Sequence, residues 1–166
     1  MLKPDFYFDS IFQIPYDRLY DSGIRCLIYD IDNTLVSHYD KRPPVKIVSL
    51  INRLRKRGFQ VGLLSNNTSR RVNSFNEFMG LPGSSKAAKP FTAVLRRVME
   101  EMDANPQETA IIGDQLFADV WCGKRAGITT VLVKPITDKE FFTVRIKRGL
   151  ERRMLKKYLK EHVNPL

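Results

Sequence analysis

The chain has 166 residues, of which 43% are hydrophobic and 28% charged, and it carries a formal charge of +10. That length suits one domain around a single core, and no stretch approaches the roughly 18 consecutive apolar residues of a membrane-spanning helix. The start, Met1-Leu2-Lys3-Pro4-Asp5-Phe6, lacks a basic region leading into a long apolar run, so no secretory signal is expected. Cys26 and Cys122 stand far apart and form no CxxC pair, which argues against a disulfide framework or a zinc site and fits a reducing cytoplasm.

Residues 1–23 form a lead-in rich in Phe6, Tyr7, Phe8, Ile11, Phe12, Ile14, Tyr16 and Leu19. It is too apolar for a free tail, so it either packs on the core or leaves an apolar patch beside the site. A strand is predicted from Arg25 to Tyr29, followed at once by Asp30-Ile31-Asp32-Asn33-Thr34-Leu35. Pro43-Pro44 opens a helix, proline being tolerated in a first turn. Val45, Val48, Ile51 and Leu54 share one face of it, and Gly58 ends it after Arg55, Lys56 and Arg57. A strand from Phe59 to Leu64 runs into Ser65-Asn66-Asn67, and a helix follows from about Thr68 to Met79. A turn at Gly80–Gly83 and a polar connection from Lys86 to Pro90 precede a helix from about Phe91 to Met102.

Strand Thr109–Ile112 ends in Gly113-Asp114, a helix is predicted from about Ala118 to Ala126, and strand Thr129–Val133 completes the alternation. Strands alternating with helices imply an α/β fold: a three-layer, Rossmann-like parallel sheet with helices on both faces. Beyond it, Ile146, Leu150, Met154, Leu155, Tyr158 and Leu159 line one face of a basic amphipathic helix over 144–162. Between Arg145 and Lys160 eight basic residues stand against the single acid Glu151, so that segment supplies +7. Such a run suits an anionic membrane surface or nucleic acid; packing on the domain is its plain alternative.

Asp30 and Asp32 are like charges two residues apart, and like charges repel unless a cation or a shared proton neutralises them. Asp114 follows a second buried strand in the same way. Two parallel strands that each end in aspartate point to a metal site at the carboxyl edge of the sheet, where open α/β folds bind their ligands.

Four short motifs occur in order: DxDNTL at Asp30–Leu35, an apolar strand ending in Ser65, a lysine before a helix at Lys89-Pro90, and GDxxxxD at Asp114 and Asp119. Together they resemble the phosphatase branch of the haloacid dehalogenase (HAD) superfamily. The resemblance implies that Asp30 is the nucleophile, forming an aspartyl-phosphate, and that Asp32 is the general acid and then the base. It implies Mg2+ held by the Asp30 carboxylate, the Asp32 carbonyl and Asp114. Asp119 supports the metal-bound water or orients Lys89, Ser65 binds phosphoryl oxygens, and Lys89 offsets charge. Asn66 and Asn67 could add hydrogen bonds to the substrate. Each role has a plainer rival: Ser65 or Asp119 as a helix N-cap, Lys86 in place of Lys89, His38 as a surface histidine, Trp121 as packing.

No interval between the motifs is long enough for an inserted cap domain, so the site should be open to a bulky substrate. The lead-in Phe6–Leu19, Gly23-Ile24, the stretch Gly113–Val120 and the tail Arg148–Arg153 are similar to the YqeG-like phosphatases of subfamily IIIA, relatives of the mitochondrial and plastid phosphatidylglycerophosphate phosphatases. That similarity implies phosphatidylglycerophosphate as substrate and a cytoplasmic enzyme peripheral on the inner face of the membrane, all within one domain, 1–166. A nucleic-acid end phosphatase is a second enzymatic reading, and a basic binding module with a vestigial site is the reading from another class.

Overall fold

The computed structural model describes residues 2–137 together with Gly149, Glu151, Arg153 and Met154. Its strands are β1 (Phe6–Phe8), β2 (Cys26–Tyr29), β3 (Gln60–Leu64), β4 (Gly83–Ser84), β5 (Thr109–Gly113) and β6 (Thr129–Val133). Its α-helices are α1 (Tyr16–Asp21), α2 (Val45–Arg57), α3 (Ser69–Asn76), α4 (Ala93–Glu101) and α5 (Trp121–Ala126). All six strands run parallel in one sheet, in the order β1-β6-β5-β2-β3-β4.

β2 and β5 are buried along their whole length, which is why they read as unbroken apolar runs. Alternate residues serve opposite faces. Leu27 and Tyr29 join Leu19 of α1, Ile47, Leu50, Ile51 and Leu54 of α2 and Phe75 of α3 in one cluster. Cys26 and Ile28 join Leu95, Val98 and Met99 of α4 and Cys122 of α5 in the other. Both cysteines are free thiols, and burial pushes each up to about 11. α2 ends where Gly58 takes φ +109°, a left-handed cap that glycine adopts without steric cost.

Several elements depart from the sequence expectations. The lead-in contributes an edge strand, β1, that pairs with β6, and it buries Ile11, Ile14 and Leu19. The Gly80–Gly83 turn runs into the two-residue strand β4. α3 stops at Asn76, whose side chain takes over by bonding both Leu81 N and Leu81 O. The helix expected at Ala118 starts earlier, as a π-helical turn over Leu116–Val120. Gly149, Glu151, Arg153 and Met154 are helical. Glu151 accepts a hydrogen bond from Phe117 N at 3.0 Å, and Met154 packs on Leu116, Val120 and Leu132. The rest of the basic helix expected over 144–162 lies outside the described residues.

β1 is short, and its attachment rests on Asp5. The Asp5 carboxylate accepts from Thr130 N and Thr130 Oγ1, both at 2.8 Å, and pairs with Lys124. Half-burial alone would raise the Asp5 carboxyl, but the bonds from Lys124 and Thr130 hold it below its usual value. A depressed carboxyl contributes stability above its unfolded pKa and loses it as pH falls. Asp5→Ala should cost about 1–3 kcal/mol in urea unfolding at pH 7, because Thr130 N is left buried without its acceptor. The gap from the unsubstituted protein should narrow as pH falls below about 4.

Candidate active site

β2 lies between β3 and β5, so the chain winds away from it in both directions and leaves a crevice at the carboxyl ends of these strands, the place where doubly wound sheets bind ligands. Asp30, Ser65 and Asp114 each follow one of the three strands. Asp30 is held by its own N–H, which donates to Ile112 O at 2.9 Å. The chain then turns tightly: Leu35 N donates to Ile31 O at 3.0 Å and Asn33 N to Val36 O at 2.7 Å. Asn33 takes φ +64°, a region that asparagine tolerates better than other non-glycine residues. The turn places the Thr34 hydroxyl where it donates to Asp114 Oδ1 at 3.1 Å.

Lys89 is only 8% exposed, and its ammonium has three donors, all engaged. They reach Asp30 Oδ1 and Asp119 Oδ1, each at 2.6 Å, and Leu64 O at 2.9 Å. Lys86, by contrast, is exposed. The connection carrying both lysines is pinned to the end of β3: Lys86 N donates to Asn67 O, and Ala87 N to Ser65 O. Asn66 clamps Lys89 itself, accepting from Lys89 N at 2.8 Å and donating to Lys89 O at 3.4 Å. Asp119 sits on the π-helical turn, and its second oxygen accepts from Gln115 N at 3.0 Å. It fits there only because residue 113 is glycine: a Cβ at Gly113 would stand 2.2 Å from Asp119 Cγ.

The carboxylates of Asp30, Asp114 and Asp119 are buried and offer oxygens that all lie within 4.8 Å of one another. Among the described residues Lys89 is the only buried cation. Burial pushes the Asp30 carboxyl well above its usual range, and the charges of Asp119 and Asp114 add to the push, while Lys89 opposes it. Burial by itself would lower Lys89, but Asp119 and Asp30 outweigh it and hold its ammonium above its ordinary value. A cluster of buried hard oxygen donors with more negative charge than its lysine can balance fits a divalent cation such as magnesium.

The site has relatives. Residues 86–137 match the HAD-hydrolase-like family model. The probable phosphatase YqeG of Bacillus subtilis is 34% identical over 152 residues, covering 92% of this chain and 88% of its own. This chain belongs to the HAD superfamily of phosphatases, in its YqeG-like group. The chloroplastic and mitochondrial phosphatidylglycerophosphate phosphatase 1 of Arabidopsis thaliana is 26% identical over 165 residues; the match covers 92% of this chain and 47% of that protein. A HAD family enzyme of Bacteroides thetaiotaomicron, solved with magnesium and inorganic phosphate, superimposes with a TM-score of 0.55 at 16% identity over 71% of this chain and 98% of its own. From Asp32 to Lys89 this HAD phosphatase holds only a loop, α2, β3, α3 and β4, so no cap domain is inserted there.

The other residues singled out from sequence occupy definite places. Ser65 is buried, and its hydroxyl accepts from Asn67 N at 3.1 Å; the cap of α3 is Thr68, which accepts from Arg71 N. Asn67 Nδ2 donates to Asp32 Oδ2 at 3.1 Å. Trp121 opens α5 at 43% exposure, outside the core. His38 stacks on Tyr39 with ring centroids 3.9 Å apart.

Sequence reasoning missed Arg71. Its Nε and Nη2 both donate to Asp32 Oδ1, at 3.1 and 2.9 Å. A signal was available: Arg70 and Arg71 lie in the first turn of α3, where the helix dipole disfavours cations, so an acidic partner was to be sought.

Removing one partner from a buried ionic cluster strands the others. Lys89→Met should lower stability by about 3–5 kcal/mol in urea unfolding with a chelator present. Adding Asp119→Leu should recover part of that loss. Equal stability of Lys89→Met and the unsubstituted protein would contradict the assigned balance of charge.

Proposed function

We propose that this phosphatase removes the terminal phosphate of a lipid phosphomonoester at an anionic membrane surface, with phosphatidylglycerophosphate as the leading substrate and the whole chain acting as one domain. The observation that carries the catalytic half of this reading is the convergence of Asp30, Lys89, Asp114 and Asp119 at an uncapped strand edge.

Asp30 is the nucleophile. One of its carboxylate oxygens forms a bond to phosphorus as the bond to the leaving alcohol breaks, and Asp32 delivers a proton to that alcohol. Asp32 then takes a proton from water, whose oxygen attacks phosphorus and releases Asp30. Dividing the reaction through an aspartyl-phosphate replaces one hard step by two easier ones. Lys89 favours the ionised form of Asp30, orients it and offsets charge on the phosphoryl oxygens. The Ser65 hydroxyl and the adjacent backbone N–H bind those oxygens. Asn66 works at one remove, by fixing the backbone of Lys89, and Asp119 holds the Lys89 ammonium in line. Asp30, Asp114 and the Asp32 carbonyl would hold Mg2+, the cation with which the Bacteroides thetaiotaomicron enzyme was solved. Bound there, Mg2+ withdraws charge from the transferring phosphoryl group.

The lipid half rests on surface chemistry and on the phosphatidylglycerophosphate phosphatase relative. No helix among the described residues is long and apolar enough to cross a membrane, so contact would be peripheral. The loops leaving the carboxyl ends of β1, β2 and β6, with the first turn of α2, expose Phe12, Tyr39, Val45 and Ile136, with Val45 82% exposed. Cations lie among them: Lys41, Arg42 and Lys46 are exposed, and Lys46 stands over the Phe12 ring. Aromatic and aliphatic groups interleaved with lysine and arginine suit a headgroup layer, where each cation near an anionic leaflet contributes about 1 kcal/mol. The basic segment 145–160 would add to that attraction.

Purified protein with magnesium should release phosphate from phosphatidylglycerophosphate in anionic liposomes faster than from sugar phosphates or a 5′-phosphorylated oligonucleotide. Asp30→Asn should lower the rate by at least about 1,000-fold, and a chelator should abolish it until magnesium is restored. Faster release from the oligonucleotide would replace the lipid by a nucleic-acid end.

A further inference from the structure

Resting on the phosphatase reading above, we infer that Arg71 selects substrates whose leaving alcohol itself carries a second anion, either a phosphodiester or another phosphate. Arg71 lies on the leaving-group side, because it grips the carboxylate that must reach the leaving oxygen. Both oxygens of Asp32 are engaged in this state: Oδ1 accepts from Arg71 Nε and Nη2, and Oδ2 accepts from Asn67 Nδ2. Oδ1, held twice, cannot turn to the ester until Arg71 moves. Asn67 is anchored through Thr68 N, which donates to its Oδ1 at 2.7 Å, whereas Arg71 has a long, jointed side chain.

The guanidinium is also positioned for recognition. It stands 5.8 Å from the Phe75 ring, and its Nη1 donates to Lys41 O at 3.3 Å. Its side chain is 12% exposed and that of Asp32 20%, so both keep contact with solvent. Two of its five N–H groups have no acceptor among the described residues. A second anion on the alcohol can bind these two N–H groups in a planar, two-pronged contact that lysine cannot reproduce, and so draw the guanidinium away from Asp32. A substrate with a neutral alcohol offers nothing to exchange for Asp32. Selectivity and release of the acid are then one event.

The test compares kcat/KM with magnesium for glycerol 3-phosphate, 1,3-propanediol bisphosphate and a short-chain phosphatidylglycerophosphate kept below its micellar concentration. The unsubstituted protein should prefer the two-anion substrates by about 10- to 100-fold, the size of a charged hydrogen-bond pair. Arg71→Met should collapse that ratio, mostly through KM, and Arg71→Lys should restore part of it. Calorimetric binding of the bisphosphate and of glycerol 3-phosphate to Asp30→Asn, with and without Arg71→Met, reads the same selectivity without turnover. Equal handling of one- and two-anion ligands, or an equal loss for both in Arg71→Met, would overturn the inference and leave the phosphatase reading standing. Arg71-dependent preference for the bisphosphate without cleavage of the lipid would uphold it and remove the lipid assignment.

Discussion

Three carboxylates are buried around one ammonium, and the architecture of this protein follows from keeping them there. Asp30, Asp114 and Asp119 sit within 4.8 Å of one another, with Lys89 between two of them. Such a group is costly to assemble: each carboxylate leaves water, and each repels the others. The lysine neutralises part of the charge and fixes Asp30 and Asp119 in place, yet it cannot balance all three. That deficit matches a divalent cation and a reaction in which negative charge must be gathered and moved.

The sheet supplies the rigidity that this requires. Asp30 and Asp114 come from the ends of two adjacent, wholly buried strands whose ladder aligns Tyr29 with Ile112. Their relative position is therefore set by backbone pairing and not by side-chain packing. Small local devices complete the arrangement. Gly113 makes room for Asp119, Asn33 turns the chain through a left-handed conformation, and Asn66 grips the main chain of Lys89 on both sides. The lysine loop itself carries Lys86 and Ala88 at φ +50° and +52°, backbone strain that commonly gathers at functional sites. Bonds to Ser65, Asn66 and Asn67 hold that strained loop in place.

What could be read from the sequence was whatever has a local signature. Strands β2, β3, β5 and β6 are short apolar runs ended by polar residues, and α2 carries its proline opening, apolar stripe and glycine cap within fifteen residues. The aspartates stood out because like charges at the end of a buried strand call for an explanation. What could not be read depends on partners far away in the chain. β1 exists because Asp5 finds Thr130, 125 residues later. β4 is a strand only because β3 offers it an edge. Asn66 looks like a substrate ligand beside Asn67, and only the return of the chain at Lys89 shows its amide to be already employed. Arg71 reads as one arginine among many until Asp32 is placed beside it.

An uncapped site must meet without a lid the demands that a lid meets by closure. A lid excludes water and surrounds a small substrate; here the crevice stays open, and a small neutral alcohol would gain little burial in it. Recognition then has to come from charge and from surfaces outside the crevice. On the proposed reading, the cations and apolar side chains on the loops after β1, β2 and β6 and at the start of α2 would meet the part of a large substrate beyond the phosphate. Arg71 lies closer in, tied at once to Asp32 and to the main chain of Lys41 in the loop after β2. A ligand that moved Arg71 would therefore act on the acid and on the rim together, which couples recognition of the alcohol to readiness for its departure without any inserted domain.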